Sequence, residues 1–389
     1  MKNVTRLLAV LMAVFMVLSV AACHPKDETA LTIDGNKITS ALYMYALIEA
    51  DSEARSEIDT AAAEKNTSSG TSSTTVTTPD YYAEKIDGKS FTEWVKARAI
   101  EICQDIALYE NLCEENKIEL SEEDEANVEY MVDYYWNYYG YSVLYEPNGI
   151  GKATFTRAMR NDYLKNAYFE SIYGEEGKEP VSKEDKEKKV SETFVLAEVL
   201  TQSTSEMKDD EKAKVLDTFN GYKARLEKGE AFETIYKEHN KTEETTTSST
   251  VSTSSATASE TASTDATSSS TTSSEEEKEP DYKFPYATVM SAADSELNYA
   301  SESYTAVSVL KMDEVLVEKG DSDVTLYVRR DLMSDERLVK ELSETALWVM
   351  KEEEFEGKMD ELVKKQTVEK NNYAIDRFKV KKIVYPSYQ

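Results

Sequence analysis

The side chains that most often carry catalysis or bind metals are scarce in this sequence. Its 389 residues include two histidines, His24 and His239, and three cysteines. Two histidines are too few for a polyhistidine centre, so we predict no metal site. Cys103 and Cys113 fall in one predicted helix, where their Cα atoms would lie about 15 Å apart, beyond the reach of about 7 Å that a disulfide allows. We expect two buried free thiols that no neighbouring group activates.

The composition excludes further classes of function. The chain has 12 glycines and contains neither GxGxxG nor GxxxxGK[ST], so we predict no phosphate-cradling loop and no cofactor. It has 45 basic and 75 acidic side chains, a formal net charge of −30, which argues against nucleic-acid binding. Such a surface favours loose attraction to cationic polypeptides, although a solvated acidic surface is the plainer interpretation.

Aromatic residues are concentrated in one segment. Residues 130–145 read YMVDYYWNYYGYSVLY and include seven tyrosines and one tryptophan. Amphipathic rings suit the binding of extended polypeptides, and packing inside a helical domain is the alternative. Because a helix has a single inward face, some of these rings must lie on a surface or in a groove. The candidates for binding are Tyr134, Tyr135, Trp136, Tyr138 and Tyr139.

The N-terminus has the pattern of a secretion signal. Lys2 and Arg6 precede an apolar run of 14 residues, which is short of the roughly 20 that span a bilayer. Small residues follow and end at Cys23, as in a bacterial lipobox, in which the cysteine is acylated; a cleavage site with a chance cysteine is the alternative. We predict a signal peptide at 1–22 and lipidation at Cys23. The mature charge becomes −32, since residues 1–22 carry two basic and no acidic side chains.

Two segments change composition abruptly. Residues 59–80 are rich in Ala, Ser and Thr, and 23 of the 30 residues at 245–274 are Ser or Thr. Such segments bury too little apolar surface to offset the entropy of ordering, so we predict disordered insertions at 59–80 and 242–281. A spacer and a glycosylated linker both fit this composition.

The remaining segments are mostly helical by their apolar spacing. A stripe at intervals of three or four predicts a helix that begins near Phe91, and Ser121 with Asp124 predicts the cap of the next one. Strands are predicted near 194–200, 287–290, 315–317 and 324–329. A helix of about 30 residues after 338 needs a partner, which we place at the N-terminal end of the chain, and 374–384 is predicted as a closing strand.

The signal precedes the segment LTIDGNKIT at 31–39. This segment is similar to the VNGxxIT opening of the PrsA/SurA-type extracytoplasmic foldases, and further motifs of that family follow in the same order. The segment NKIELSEE at 116–123 resembles the entry of a helix in the family's chaperone lobe, and PVSKED at 180–185 repeats it before the next module.

That module resembles a parvulin-type prolyl isomerase domain. VLAEVLT at 195–201 stands where the family has a first strand such as ASHILV. KARLEKGEAFE at 223–233 and YKEHN at 236–240 are similar to its ARLKAGADFA and AKEYS stretches. The resemblance implies a fold of class α+β: a mainly helical chaperone lobe built from both chain ends, with a small parvulin-like domain inserted.

The departures from the family pattern concern its catalytic histidines. Glu198 stands at the position of the first histidine, and VTLYV at 324–328 replaces the strand that carries the second. The GGDLG element is missing, since no glycine occurs between Gly229 and Gly320. A carboxylate does not reproduce a neutral histidine pair, so we interpret Glu198 as a non-catalytic remnant; a weak isomerase with an altered site is the alternative.

A proline slot is a further hypothesis for this module. Catalysis of prolyl isomerisation must lower a barrier of about 20 kcal/mol and needs an apolar slot for the ring. Phe284, Tyr286 and Met290 are the candidates for lining it, with packing in the domain core as the alternative.

The leading hypothesis is a lipid-anchored chaperone on the extracytoplasmic face of a bacterial membrane, which binds unfolded or nascent secreted polypeptides. An active parvulin-type isomerase is the second hypothesis, and a solute-binding or structural surface lipoprotein is the third. The predicted organisation has six parts: a signal peptide at 1–22, an N-terminal strand and helix at 23–58, a linker at 59–80, a helical lobe at 81–189, a parvulin-like domain at 190–332 interrupted at 242–281, and a C-terminal helix and strand at 333–389.

Overall fold

The computed structural model describes residues 28–68, 79–246, 282–292 and 303–386. They divide into two compact units, the first formed by Met1–Pro180 with Glu352–Gln389 and the second by Val181–Lys351. Long helices and small antiparallel sheets make the fold α+β and mainly helical, as predicted. The predicted signal peptide at 1–22, residues 69–78 of the first linker and residues 247–281 of the Ser/Thr tract lie outside the described residues.

Unit 1 is built from helices whose starts are specified by capping residues. Ser90 and Ser121 each accept a hydrogen bond from the backbone N–H three residues later. In return, the acidic side chain of that later residue accepts a hydrogen bond from the backbone N–H of the serine. The predicted starts near Phe91 and after Ser121 are therefore confirmed. The α-helices of this unit before its C-terminal part are Ser40–Ser68, Phe91–Asn116, Glu122–Asp133, Tyr141–Tyr145 and Lys152–Tyr173.

Removing one of these caps should weaken unit 1 measurably. In Ser90→Ala the N–H of Glu93 loses an acceptor at 3.4 Å, and the Glu93 carboxylate loses a hydroxyl at 2.7 Å. We expect the free energy of unfolding to fall by about 1 kcal/mol in urea denaturation. Ser56→Ala, at an exposed position inside helix Ser40–Ser68, is the control and should cause no loss, because alanine is the better helix former. An equal loss in both variants would contradict the assignment.

A small sheet joins the two ends of the chain inside unit 1. Thr29–Ile33 pairs with Asn36–Thr39 through a turn at Asp34 and Gly35, both at positive φ, and on its other edge with Val368–Lys370. The closing strand is therefore 368–370, and the prediction of a strand over 374–384 is wrong. Asn371 accepts a hydrogen bond from the N–H of Ala374 and starts a helical turn, Asn372–Ile375, which is followed by Val380–Lys382.

The first helix is longer than predicted. Ser40–Ser68 continues ten residues into the segment that was expected to be a linker from 59, so that prediction is wrong for 59–68. Residues 61–65, AAAEK, are strong helix formers, and the Ser/Thr-rich composition begins only after them. Past the undescribed residues, Tyr81–Ala83 forms a 3₁₀ turn and the hairpin Lys85–Ile86 with Lys89–Ser90 leads into the next helix.

Unit 2 contains a four-stranded antiparallel sheet. Its order is Ala287–Ser291, Phe194–Ser203, Asp323–Arg330 and Val315–Lys319, so the four predicted strands are confirmed. The helices of the unit are Lys183–Thr193, Asp209–Leu226, Phe232–Thr246, which extends into the predicted tract at 242–281, and Tyr304–Ser308. The long helix Glu336–Val363 belongs to unit 2 up to Lys351, and its residues from Glu352 onward belong to unit 1.

Alternate residues of the central strand Phe194–Ser203 face two different cores. One face carries Leu196, which packs with Val190 and Leu342, and farther along Leu200, which packs with Phe219. The opposite face carries Val195 and Ala197, which pack with Met290, Val307 and Tyr327. Glu198 belongs to the first face and lies between the positions of Leu196 and Leu200, so an acidic side chain is placed between two apolar clusters.

Candidate functional site

Glu198 is the first candidate, and the structure buries it in an ion pair. The residue is 5% exposed, and its strand neighbours are Ala287 and Val328. Arg330 donates to the same carboxylate oxygen, Oε2, from Nε at 2.8 Å and from Nη2 at 2.6 Å. The remaining guanidinium nitrogen, Nη1, donates to Asp313 at 2.5 Å. One arginine therefore joins a buried and an exposed carboxylate.

The electrostatics of Glu198 are those of a structural pair. Burial raises the pKa of its carboxyl group, and the hydrogen bonds and charge of Arg330 oppose that rise. The Cζ of Arg330 also lies 5.5 Å from the ring centroid of Phe284, so an aromatic face covers the cation. With Oε2 accepting two hydrogen bonds from Arg330, the carboxylate is held in place and is poorly suited to exchange a proton with a substrate.

The proposed proline slot is not assembled. Phe284 packs against the cluster that contains Phe194 and Leu196, whereas Tyr286 packs against the other cluster of that face and lies 4.5 Å from Tyr236 between ring centroids. Met290 is buried on the opposite face of the sheet. The three residues therefore belong to three different clusters and do not line one slot in this structure; Phe284 and Tyr286 precede the strand Ala287–Ser291, whereas Met290 lies within it.

The aromatic segment at 130–145 has a buried side and an exposed side. Trp136, at 6% exposure, and Tyr145 pack together with Phe155, with ring centroids 5.3 to 6.2 Å apart. Of the five candidates for binding in this segment, Trp136 therefore lies on the buried side. Tyr134 and Tyr135 are half-buried. We call the exposed side chains the tyrosine surface, and its members are Tyr130, Tyr138, Tyr139, Tyr141 and Val143.

A wide helical turn produces this division. Residues Tyr134–Tyr138 form a π-helix after Glu122–Asp133, and Gly140 at φ 72° ends it. A π-turn holds one more residue than an α-turn, so it shifts the faces of the residues that follow, and such turns are frequent at functional sites. Tyr130 and Tyr141, which were not among the sequence candidates, are exposed as well.

The exposed rings form an ordered array. Tyr130, Tyr134 and Tyr138 stack at four-residue spacing, with centroid separations of 6.1 and 5.2 Å and interplanar angles of 8° and 9°. Tyr139 meets Tyr134 edge to face at 5.1 Å, and the hydrogen bond that the Tyr134 hydroxyl donates to Tyr139 is the largest cause that raises the pKa of Tyr134. Because the rings of the stack cover one another, the surface offers ring edges and hydroxyls along its length.

The remaining chemistry-bearing residues are part of the core. Cys103 and Cys113 are buried and free, as predicted, and burial raises the pKa of both thiols. His239 lies edge to face against Phe219 and Tyr222. Across the described ranges, no group of three or more His, Cys, Asp or Glu side chains is placed to hold a metal ion. Cys23 and His24 lie outside them.

Within the parts of the chain that the structure describes, no helix is both long enough and apolar enough to cross a bilayer.

Comparison with known proteins gives structural similarity only. No family model and no curated protein matches the chain. The foldase protein PrsA from Streptococcus pneumoniae is similar at 12% identity, over 68% of this chain and 86% of that one, with a TM-score of 0.31. The PrsA foldase from Lactococcus lactis is similar at 14% identity over 71% of this chain and 85% of that one, with a TM-score of 0.34. Both are proteins of the family that the sequence motifs resemble.

Proposed function

We propose that this protein is an extracytoplasmic chaperone that binds unfolded secreted polypeptides and is anchored to a membrane through acylated Cys23. The observation that carries the proposal is the tyrosine surface. Tyr130 is 61% exposed and Tyr138 77%, and with Tyr139, Tyr141 and Val143 they place five large apolar side chains on the surface within 14 residues. Exposed apolar side chains in such a concentration are typical of interaction sites.

The chemistry of tyrosine suits clients of variable sequence. A ring offers a large contact area, loses few rotamers on binding and keeps a hydroxyl for water or a client main chain. Stacking at Tyr130, Tyr134 and Tyr138 already restricts these rings, which lowers the entropy that binding would cost. The net charge of −30, which becomes −32 without residues 1–22, favours cationic segments and keeps loaded complexes soluble.

Within this proposal, unit 2 acts as a structural module without isomerase activity. The ion pair between Glu198 and Arg330 supports this assignment, because it neutralises the carboxylate at the position where the family has a histidine. The separation of Met290 from Phe284 and Tyr286 supports it as well, since no common slot for a proline ring remains.

Aggregation assays with residues 24–389 test the proposal. We expect stoichiometric amounts to raise the soluble yield of a refolding client. The triple variant Tyr130→Ser, Tyr138→Ser and Tyr139→Ser should need about tenfold more protein for the same yield, given roughly 0.5–1.5 kcal/mol for each aromatic contact. Tyr282→Ser with Tyr373→Ser removes two other exposed tyrosines and is the matched control, for which we expect no change. Equal losses in both variants would refute the tyrosine surface as the binding site.

The same preparation distinguishes the chaperone from an isomerase. A client whose refolding is limited by a prolyl bond should refold at an unchanged rate when catalytic amounts of the protein are added. A faster slow phase that survives in Tyr130→Ser/Tyr138→Ser/Tyr139→Ser would show that unit 2 is an active isomerase, against the proposal.

A further inference from the structure

The last described residues cross unit 1 as an extended segment. In this segment, residues 383–386, the backbone of Val384 is bound by one side chain: its N–H donates to Asn148 Oδ1 at 2.9 Å, and its carbonyl accepts from Asn148 Nδ2 at 2.8 Å. Both groups belong to the main chain of a single residue, while the side chain of Val384 is 50% exposed. The Asn148 carboxamide thus recognises a peptide backbone without selecting its side chain.

The carboxamide of Asn148 is held in its binding orientation by its own neighbourhood. Its Nδ2 also donates to the carbonyl of Leu144 at 2.7 Å, in the last turn of the aromatic segment at 130–145. Asn148 ends the 3₁₀ turn Glu146–Asn148, which Gly149 closes at φ 84°. The amide is therefore oriented by contacts that do not involve Val384.

The next residue, Tyr385, is recognised by its side chain. Its hydroxyl donates to Oδ2 of Asp51, which is fully buried, and its ring centroid lies 5.3 Å from Cζ of Arg55. Arg55 donates from Nε to the same Asp51 oxygen at 2.5 Å and also lies over the ring of Tyr81 at 4.5 Å. A buried acceptor beside a cation that covers an aromatic face selects a phenol ring over an aliphatic side chain.

We infer that Asn148, Asp51 and Arg55 form a site for an extended, tyrosine-containing polypeptide segment. In this structure the chain's own residues 384–386 occupy it. We call these residues the tail, and the three side chains the tail site. Two neighbouring residues of the occupant are bound, one through its main chain and one through a phenol, which is how an extended peptide of loosely defined sequence is recognised. Residues 383–386 belong to no helix or strand, so the occupant can leave without unfolding any described element.

This inference rests on the proposed function, because it makes the tail a competitor of client polypeptides. Asn148 follows the aromatic segment by three residues, so a client bound to the tyrosine surface has the tail site within a short length of extended chain. A tethered occupant competes at a high effective concentration, and weak clients would not displace it. The tail therefore sets a threshold of affinity for access to the site.

Fluorescence anisotropy with a labelled peptide of residues 381–389 tests the site. In the protein variant Tyr385→Ala the tethered tail loses its phenol, and we expect the peptide to bind about tenfold more tightly than to the unaltered protein, since intramolecular competition is weakened. Adding Asn148→Ala to Tyr385→Ala should abolish the gain. Adding Asn166→Ala, an exposed asparagine of helix Lys152–Tyr173, should leave it intact. A peptide with alanine at the position of Tyr385 should bind weakly to every variant.

Two results would overturn the inference: equal peptide affinity for the unaltered protein and Tyr385→Ala, or a gain that persists with Asn148→Ala. Should Tyr385→Ala fail to keep its helical circular dichroism, a chain ending at Ile383 replaces it and the same expectations apply. The aggregation assay separates this failure from that of the proposed function. Suppression of aggregation without a peptide effect refutes the tail site alone, whereas peptide binding without suppression refutes the chaperone and retains the site.

Discussion

The variant Glu198→Ala should destabilise unit 2 by about 3 kcal/mol, at the low end of the roughly 3–5 kcal/mol expected when one partner of a buried ion pair is removed. Alanine leaves the guanidinium of Arg330 beside the ring of Phe284 and an apolar cluster, with Asp313 as its remaining carboxylate partner. Because Asp313 is exposed, its pairing with Arg330 is screened by solvent and offsets only part of the loss.

Hydrogen exchange measured by mass spectrometry locates this effect. We expect faster exchange in strands Phe194–Ser203 and Asp323–Arg330 and unchanged exchange in helix Phe91–Asn116 of unit 1, which serves as an internal control. The double variant Glu198→Leu with Arg330→Met replaces both charges by apolar groups of similar size and should remain within about 1 kcal/mol of the unaltered protein. If the double variant lost as much protection as Glu198→Ala, packing rather than an unpaired charge would be the cause.

The second large effect is expected at Asp105 in unit 1. Burial, as the largest cause, raises the pKa of this carboxyl group from 3.8 to about 6; Arg98 and Lys165 oppose the rise, while Glu356 and Glu101 add to it. The folded protein thus binds the proton more tightly than the unfolded chain. The contribution of Asp105 to the free energy of unfolding is greatest below pH 3.8, falls as the pH rises to about 6 and is constant above that.

Asp105→Asn should therefore stabilise unit 1 at neutral pH. A shift of about two pKa units corresponds to about 3 kcal/mol, so we expect the free energy of unfolding in urea at pH 7.5 to rise by up to that amount. At pH 4 the difference should nearly vanish. Asp80→Asn is the control, since this exposed aspartate makes no side-chain cap bond, and it should change nothing at either pH. A loss of stability at pH 7.5 in Asp105→Asn would show that the charged form makes favourable contacts.

Local patterns in the sequence were sufficient to predict most elements. Alternating or continuous apolar residues predicted the strands of unit 2, and a serine with an acid three residues later predicted the start of helix Glu122–Asp133. These signals depend on neighbours within a few residues of one another. The predicted linker start at 59 is wrong because the alanines at 61–63, with Glu and Lys after them, favour a helix, which continues to Ser68.

The contacts that define the surroundings of Glu198 and of Asn148 join residues that lie far apart in the sequence. Glu198 and Arg330 are separated by 132 residues, and Asn148 and Val384 by 236. No periodicity connects such positions, so the sequence placed Glu198 on a strand without indicating the partner that neutralises it. The burial of Trp136 depends on the π-turn at Tyr134–Tyr138, for which the run of tyrosines gave no signal. The strand expected over 374–384 was inferred from its apolar residues. Two of them, Ala374 and Ile375, are buried in a helical turn that the cap at Asn371 starts, and not in a strand.

The pairing of the first described strand with the last has a consequence for biogenesis. Thr29–Ile33 finds its partner only when Val368–Lys370 has been made, which at roughly 5–20 residues per second is about 20–70 s later. All residues of unit 2, which ends at Lys351, are synthesised before that partner appears. During synthesis the chain therefore passes through an intermediate in which unit 2 can already fold. In this intermediate, the edge of Thr29–Ile33 that later pairs with Val368–Lys370 is still unpaired. An unpaired strand edge is prone to aggregation, so a protein proposed to protect other chains depends on protection while it is being made.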